Sequence, residues 1–483
     1  MNPPENEGRR VLAVDLDGTL LKGDLLWESL LAHVLPAPWR IGAVVAWCGK
    51  GGRAGLKAKL AERTAVDGAL LPWNREVVEF CEARSAEGWT IVLATASNEK
   101  AARAVTSHFP FIARVIGSDA SVNLKSERKA ERLVAEFGPD GFDYVGDSAA
   151  DLPVWKVARA AWFVGRAGKG QSFERGLGKP LGCISTQAGF SFRGLFAAMR
   201  PHQWLKNLLV FFPVLMAHRW TDYACWRQVG PVFLALCCMA SASYLLNDLS
   251  DLDADRRHPR KKSRPFASGE LALQAGLLSI LILLSLGLAL ASLSGGAALA
   301  ATAAYFLFTA LYSLGLKTIP VLDAVFLSAL YTYRMVLGGI AGSVMISAWL
   351  LAFSTTFFLG LAFLKRYVEL DALPEDGAGR LARRGYARGD LGFVQMTGVS
   401  SGFLSVVVLA LYLDSAASSA LYATPHWLWG IAFVLLLWIM RVWFLAGRKQ
   451  LHDDPVWFAA KDPVTLGLAV VCVAVVAAAG PLR

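Results

Sequence analysis

Tyr244-Leu245-Leu246-Asn247-Asp248-Leu249-Ser250-Asp251-Leu252-Asp253-Ala254-Asp255 carries the chain from an apolar run straight into acid, and base follows at once in Arg256-Arg257-His258-Pro259-Arg260-Lys261-Lys262-Ser263-Arg264-Pro265. On a helix continued past Leu246, Asp248, Asp251 and Asp255 stand at i, i+3 and i+7 and share one face, while Asp253 points away. Carboxylates converging from one face are the hard oxygen donors that Mg²⁺ prefers, and the cations beyond them suit phosphate oxygens. The pattern predicts a metal-diphosphate site at a water-lipid boundary.

Outward from that edge the composition falls into two regimes. Up to residue 195 the chain of 483 residues reads as soluble; beyond it, charge retreats into short clusters between long apolar segments, as in a polytopic membrane protein. Nine spans are predicted, at 205–221, 229–248, 271–292, 296–316, 319–340, 347–365, 393–413, 425–445 and 463–481. The polar start from Met1 to Arg10 lacks a signal-peptide core, so the N-terminal domain is expected in the cytosol. Even-numbered spans then end inside, beside Arg256 to Arg264, Lys317, Lys365-Arg366 with Arg380, Arg383, Arg384 and Arg388, and Arg448-Lys449, as the positive-inside rule requires. The same rule accounts for much of the net charge of +10, which argues against nucleic acid as a partner. Seven cysteines without a CxxC pair indicate neither a disulfide framework nor a zinc site.

The first 165 residues predict a parallel α/β sheet. Val11 to Val14, Ile91 to Ala94 and Phe142 to Val145 are short apolar runs, each ending in Asp, Thr or Ser, with helical stretches at Asn74 to Glu87 and Ser126 to Phe137 between them. Ligands bind such sheets at the carboxyl ends of the strands. Residues 22–72 suit a helical cap, and residues 166–195, aperiodic and rich in Gly and Ser, suit a linker before a membrane domain at 196–483.

Asp15-x-Asp17-Gly18-Thr19, Thr95, a downstream lysine and Gly146-Asp147-x-x-x-Asp151 together resemble the haloacid dehalogenase superfamily. Four motifs in order, each at a strand end or helix start, make the resemblance specific. It implies Asp15 as nucleophile, Asp17 as general acid and base, Thr95 on the transferring phosphoryl group, and Mg²⁺ held among Asp15, Asp17, Asp147 and Asp151. The lysine is Lys129 or Lys125. Asp also serves widely as a turn and cap residue, which is the alternative role for these acids.

Nine spans with NDxxDxxxD after the second resemble the UbiA superfamily of intramembrane prenyltransferases. Members of that family hold an isoprenoid diphosphate through Mg²⁺ on two acidic motifs. Here the place of the second reads Lys365-Arg366-Tyr367-Val368-Glu369-Leu370-Asp371, two cations where acid is expected. With Arg200-Pro201-x-Gln203-Trp204-x-Lys206-Asn207 upstream, the pattern is similar to the decaprenyl-phosphate phosphoribosyltransferase branch. The resemblance implies phosphoribosyl diphosphate as donor and a polyprenyl phosphate as acceptor. Asn247, Asp248, Asp251 and Asp255 would hold Mg²⁺ on the leaving diphosphate. Arg256, Lys261, Lys262 and Arg264 would meet donor phosphates, and Lys206, Asn207, Lys317, Lys365 and Arg366 either substrate. Tyr367 and Glu369 would meet the ribose, and Asp323, one turn into the fifth span, would face the cavity. Arg334, deeper on the same face, either serves the site or snorkels outward.

Together these readings describe a bifunctional, Mg²⁺-dependent enzyme of a bacterial plasma membrane with both sites on the cytosolic side. The membrane domain would make a lipid-linked ribose 5-phosphate, and the phosphatase would remove the 5-phosphate. Two rivals stand beside it: a prenyltransferase using an isoprenoid diphosphate with a phosphatase of separate substrate, and a membrane-anchored phosphatase whose helical half only binds or transports lipid. Assembly into a homo-oligomer stays open.

Overall fold

The computed structural model describes residues 10–119, 122–186, 191–373, 381, 384–451 and 454–480. Arg380 and Arg383, expected at a cytosolic exit, lie outside the described residues. The chain divides into two compact units, one of residues up to Ala198 together with Asn247–Leu278, the other of Met199–Leu246 with Ser279 onward.

The first unit is built on a six-stranded sheet ordered β3-β2-β1-β4-β5-β6. Its strands are β1 (Val11–Val14), β2 (Thr90–Asn98), β3 (Ile112–Ser118), β4 (Asp143–Gly146), β5 (Ala161–Gly165) and β6 (Leu181–Ser185), and every pairing is parallel. Alternation along β1 explains the two apolar layers. Leu12 and Val14 pack on one face with Leu93 and Val145, while Val11 and Ala13 pack on the other with Val92 and Tyr144. The helices are α1 (Leu25–Val34), α2 (Ile41–Arg63), α3 (Arg75–Ala86), α4 (Glu99–Thr106), α5 (Glu127–Phe137), α6 (Leu152–Val157), α7 (Ala167–Leu177) and α8 (Phe192–Met199). α1 and α2 occupy the stretch expected to form the cap. The expected linker at 166–195 is corrected: most of it is α7, β6 and α8. Gly168, Gly170 and Gly176 blur the helical pattern of α7, and β6 is a partly exposed edge strand containing Gly182, so neither shows a period in sequence.

The chain continues through α9 (Phe212–Met216), α10 (Tyr223–Ser250), α11 (Leu252–Arg257), α12 (Leu273–Ser292), α13 (Gly296–Leu314), α14 (Leu322–Gly342), α15 (Ala348–Asp371), α16 (Leu391–Leu413), α17 (Ala416–Ser419), α18 (Trp429–Gly447), α19 (Pro455–Lys461) and α20 (Pro463–Ala479). Among the described residues, seven helices are long and apolar enough to cross a membrane: α10, α12, α13, α14, α15, α16 and α18. α19 and α20 are bent by 79° and together make up to an eighth. The first span expected, 205–221, differs. It is a 3₁₀ helix over Pro201–Phe211 followed by α9, with Pro213 setting the change. Its 3₁₀ rise of about 2.0 Å per residue gives the stretch a length near the thickness of a hydrocarbon core. Close backbone approach packs the helical unit. A Cβ on Gly338 of α14 would lie 1.8 Å from the Val210 carbonyl, and Gly360 of α15 faces Gly402, which forms a GxxxG stripe with Gly398 on α16.

Candidate active sites

Asp15 follows β1 and Asp147 follows β4, so adjacent central strands bring their carboxylates to one end of the sheet. Oxygens of Asp15, Asp147 and Asp151 lie within 4.8 Å of one another, which makes these three a candidate cation site. Of the two lysines left open, Lys129 is the one beside Asp15. Its Nζ lies 2.8 Å from Asp15 Oδ1 and 2.9 Å from the Tyr144 hydroxyl, buried, whereas Lys125 is exposed. Tyr144, missed in the sequence because it sits inside a strand, donates at 2.7 Å to Asp151 Oδ1. Asp151 Oδ2 accepts from the Asp147 and Ser148 amides and the Ser148 hydroxyl. Asp151 is thus held from several sides, which suits a residue that positions the site.

Three acids against one lysine leave uncompensated charge. Burial, with Asp151 and Asp17 adding repulsion, pushes Asp15 up to about 8 despite Lys129, and burial pushes Asp147 up to about 7. A divalent cation fits such a set: hard oxygen donors, excess negative charge, and Gly18, where a Cβ would come within 2.5 Å of Asp147 Oδ2. The Asp17 carboxylate is not in that group. It accepts from the Leu25 amide at 2.7 Å and the Ser97 hydroxyl at 2.7 Å. Thr95 is buried and its hydroxyl accepts from the Ser97 amide at 2.9 Å. Two further residues, outside any motif, come from the cap. Lys57 of α2 donates to the Ala96 carbonyl at 2.6 Å, and Asp24 caps α1, its carboxyl pushed up to about 6 by burial and by Asp17.

The acidic stretch after α10 also belongs to the first unit. The helix expected to run through it breaks at Asp251 and resumes as α11. Asp248 and Asp255 nonetheless share a face: Arg264 Nη1 lies 3.2 Å from Asp248 Oδ1 and 2.5 Å from Asp255 Oδ2. Two carboxylates therefore converge on one cation, Arg264, and among the described residues Asp251 does not join them in a three-carboxylate group. Asn247 Nδ2 donates to Asp251 Oδ2 at 3.1 Å. Arg264, expected at a donor phosphate, is thus paired with two carboxylates. Arg256 is likewise engaged, for its guanidinium grips Glu28 of α1 in a bidentate pair at 2.7 and 3.1 Å with both side chains 4% exposed. Lys261 and Lys262 are exposed.

In the second unit, Lys206 and Lys365 share one carboxylate. Asp454 Oδ2 lies 2.8 Å from Lys206 Nζ and 3.0 Å from Lys365 Nζ. The two ammonium groups hold the Asp454 carboxyl well below its usual range although burial opposes them. Nothing near Asp454 in sequence marks it; 248 residues separate it from Lys206. Arg366 is fully buried, 2.7 Å from Asp323 Oδ2, and its Nη1 meets Glu369. Arg384 lies 3.7 Å from Asp323 and donates to the Tyr312 hydroxyl, and Tyr386 donates to Asp323 Oδ1 at 2.7 Å. Arg366 and Asp323, expected at the substrate, meet each other in a buried ion cluster that also engages Glu369. Tyr367 packs edge-on against Trp443 in an apolar cluster, which corrects its expected ribose contact. Asn207 is buried between Arg334 Nε at 3.1 Å and Cys237, also away from its expected role. Arg334 does not snorkel: it donates to the Leu330 carbonyl and the Tyr305 hydroxyl and lies over the Tyr305 and Tyr331 rings. Lys317 is buried.

A family model described as the UbiA prenyltransferase family matches residues 207–462. The chain belongs to that family. An uncharacterized protein of Sinorhizobium fredii is 34% identical over 452 residues, covering 93% of this chain and 87% of that protein. The nodulation protein NoeC of Azorhizobium caulinodans is 37% identical over 276 residues, 57% of this chain and 88% of NoeC. The decaprenyl-phosphate phosphoribosyltransferase of Corynebacterium glutamicum is 36% identical over 184 residues, 37% of this chain and 54% of that enzyme. This UbiA family member thus joins a membrane prenyltransferase fold to an N-terminal parallel α/β domain.

Proposed function

We propose that the UbiA part transfers 5-phosphoribose from phosphoribosyl diphosphate to a polyprenyl phosphate, and that the α/β domain, acting as a haloacid dehalogenase-type phosphatase, removes the 5-phosphate from the lipid product. The paired lysines carry this reading. Lys206 and Lys365 around one carboxylate leave a net cation, and Lys365 stands where a second acidic motif would load more Mg²⁺ in a prenyltransferase using isoprenoid diphosphate. The similarity to decaprenyl-phosphate phosphoribosyltransferases supports the same donor and acceptor.

In the transfer, Asn247, Asp248, Asp251 and Asp255 would hold Mg²⁺, which when bound neutralises the diphosphate that leaves ribosyl C1. Lys206 and Lys365 steady a substrate phosphate as the acceptor oxygen forms its bond to C1. In the phosphatase, Lys129 holds Asp15 Oδ1, orienting the other oxygen to attack phosphorus. Asp15, Asp147 and Asp151 would surround Mg²⁺, which when bound offsets the repulsion between carboxylate and phosphate. Asp17, fixed by Ser97 and the Leu25 amide, gives a proton to the departing ribose oxygen and then takes one from the water that cleaves the aspartyl phosphate. Orientation follows the positive-inside pattern, with both sites in the cytosol.

Membranes holding the protein, incubated with polyprenyl phosphate and either labelled phosphoribosyl diphosphate or a labelled isoprenoid diphosphate with an aromatic acceptor, test the donor. Label should enter lipid from the phosphoribosyl donor. Incorporation only from the isoprenoid donor overturns the proposal in favour of an ordinary prenyltransferase.

A further inference from the structure

The cap differs from its surroundings in charge. Between Glu28 and Glu62 the chain has no acidic residue, yet it holds Arg40, Lys50, Arg53, Lys57 and Lys59. Helix α2 is also apolar on two sides. Val44, Leu56 and Leu60 are buried against Leu26, Leu30 and Val34 of α1. On the outer side Ile41 and Val45 are 51% and 65% exposed, and Trp39, just ahead of the helix, is 78% exposed. Large apolar side chains exposed together mark a surface where another apolar phase or partner can sit. Arg40, Lys50 and Arg53, all exposed, belong to the same element or its start, Arg53 just past the backbone break at Gly52.

An exposed indole and two branched aliphatic side chains, in a stretch of chain that carries cations and no acid, match the boundary of an anionic bilayer: the apolar groups enter between headgroups while the cations meet lipid phosphates. The first residues of α12, a helix of membrane length, belong to this same unit, so the unit itself runs into a membrane-length helix. We propose that Trp39, Ile41 and Val45, with Arg40, Lys50 and Arg53, form a docking surface for anionic lipid.

The surface lies on the helix that reaches the phosphatase site. Lys57, which donates to Ala96, lies on the same element as Val45 but past the backbone break at Gly52. A docked cap keeps that site near the headgroups, so a phosphate on a membrane-held lipid can reach Asp15 while its tail stays in the bilayer. This consequence rests on the phosphatase reading; the docking does not.

The test uses the full chain in nanodiscs, with accessible cysteines replaced by serine and an environment-sensitive fluorophore on Val45→Cys or, as control, on exposed Glu79→Cys. In discs containing phosphatidylglycerol the Val45 label should emit at shorter wavelength and be quenched by nitroxide-labelled lipid, and the Glu79 label should not. Each of Arg40→Glu, Lys50→Glu and Arg53→Glu should lower the docked-to-undocked ratio at least about fivefold, the equivalent of ~1 kcal/mol per cation at an anionic surface. Equal quenching at both positions overturns the proposal, and so does protection of Val45 that ignores lipid charge and rises with protein concentration, the signature of a second copy. Hydrolysis of p-nitrophenyl phosphate by the same samples is read separately: its absence defeats the phosphatase reading and leaves the docking result intact.

Discussion

Arg366 shows how far a single residue's partners can redefine it. Read along the sequence it is a spare cation where acid was expected; in the fold it is the buried partner of Asp323 and Glu369. Removing one member of such a cluster strands the others, so Arg366→Ala should destabilise the membrane domain by about 3–5 kcal/mol, read as a fall in thermal unfolding temperature in detergent. An unchanged transition would mean that the cluster contributes little. The acids around Asp15 give a pH prediction. Asp15 and Asp147, raised by burial to about 8 and about 7, hold protons at neutral pH that a metal must displace. Mg²⁺ affinity should therefore climb from about pH 6 to about pH 9 and level off above, with proton release on binding, as calorimetry in buffers of different ionisation enthalpy would record. Affinity independent of pH contradicts those raised values.

Among elements, those with a strong local signal were legible and those defined by distant partners were not. The strand β1 and the helix α5 follow from short apolar runs and helical spacing, so Asp15 and the position of Lys129 could be read directly; choosing Lys129 over Lys125 required knowing which side of α5 is buried beside Tyr144. Arg256 looked like a phosphate ligand because its neighbours are basic, while the partner that occupies it, Glu28, is 228 residues away. Asp454 gave no signal for the same reason. The stretch before α9 read as one apolar span because hydropathy does not report helix type. Its packing makes a further prediction: Gly338→Ala would press a methyl group against the Val210 carbonyl and should cost about 1–3 kcal/mol, visible as a lower midpoint in detergent unfolding. Gly447, at the end of α18, has open space where a Cβ would stand and no left-handed φ, so Gly447→Ala should leave the midpoint in place.

For the whole molecule, the composition divide between a soluble-looking first part and an apolar second part was plain in the sequence, and so was the motif that marks the membrane edge. Chain order hid the fact that Asn247–Leu278 belongs with the N-terminal unit, tied there by Arg256 to Glu28 and by Ser191 to Glu270. Two centres in one chain would keep the second at high effective concentration for the product of the first. The decisive measurement is the lipid product formed from labelled phosphoribosyl diphosphate and polyprenyl phosphate by the unaltered protein, Asp15→Asn and Asp248→Asn, each with Mg²⁺. Polyprenyl-phosphoryl-ribose is expected from the first, accumulation of its 5-phosphate from Asp15→Asn, and no labelled lipid from Asp248→Asn. Dephosphorylated lipid from Asp15→Asn, or undiminished transfer by Asp248→Asn, would contradict the coupled scheme.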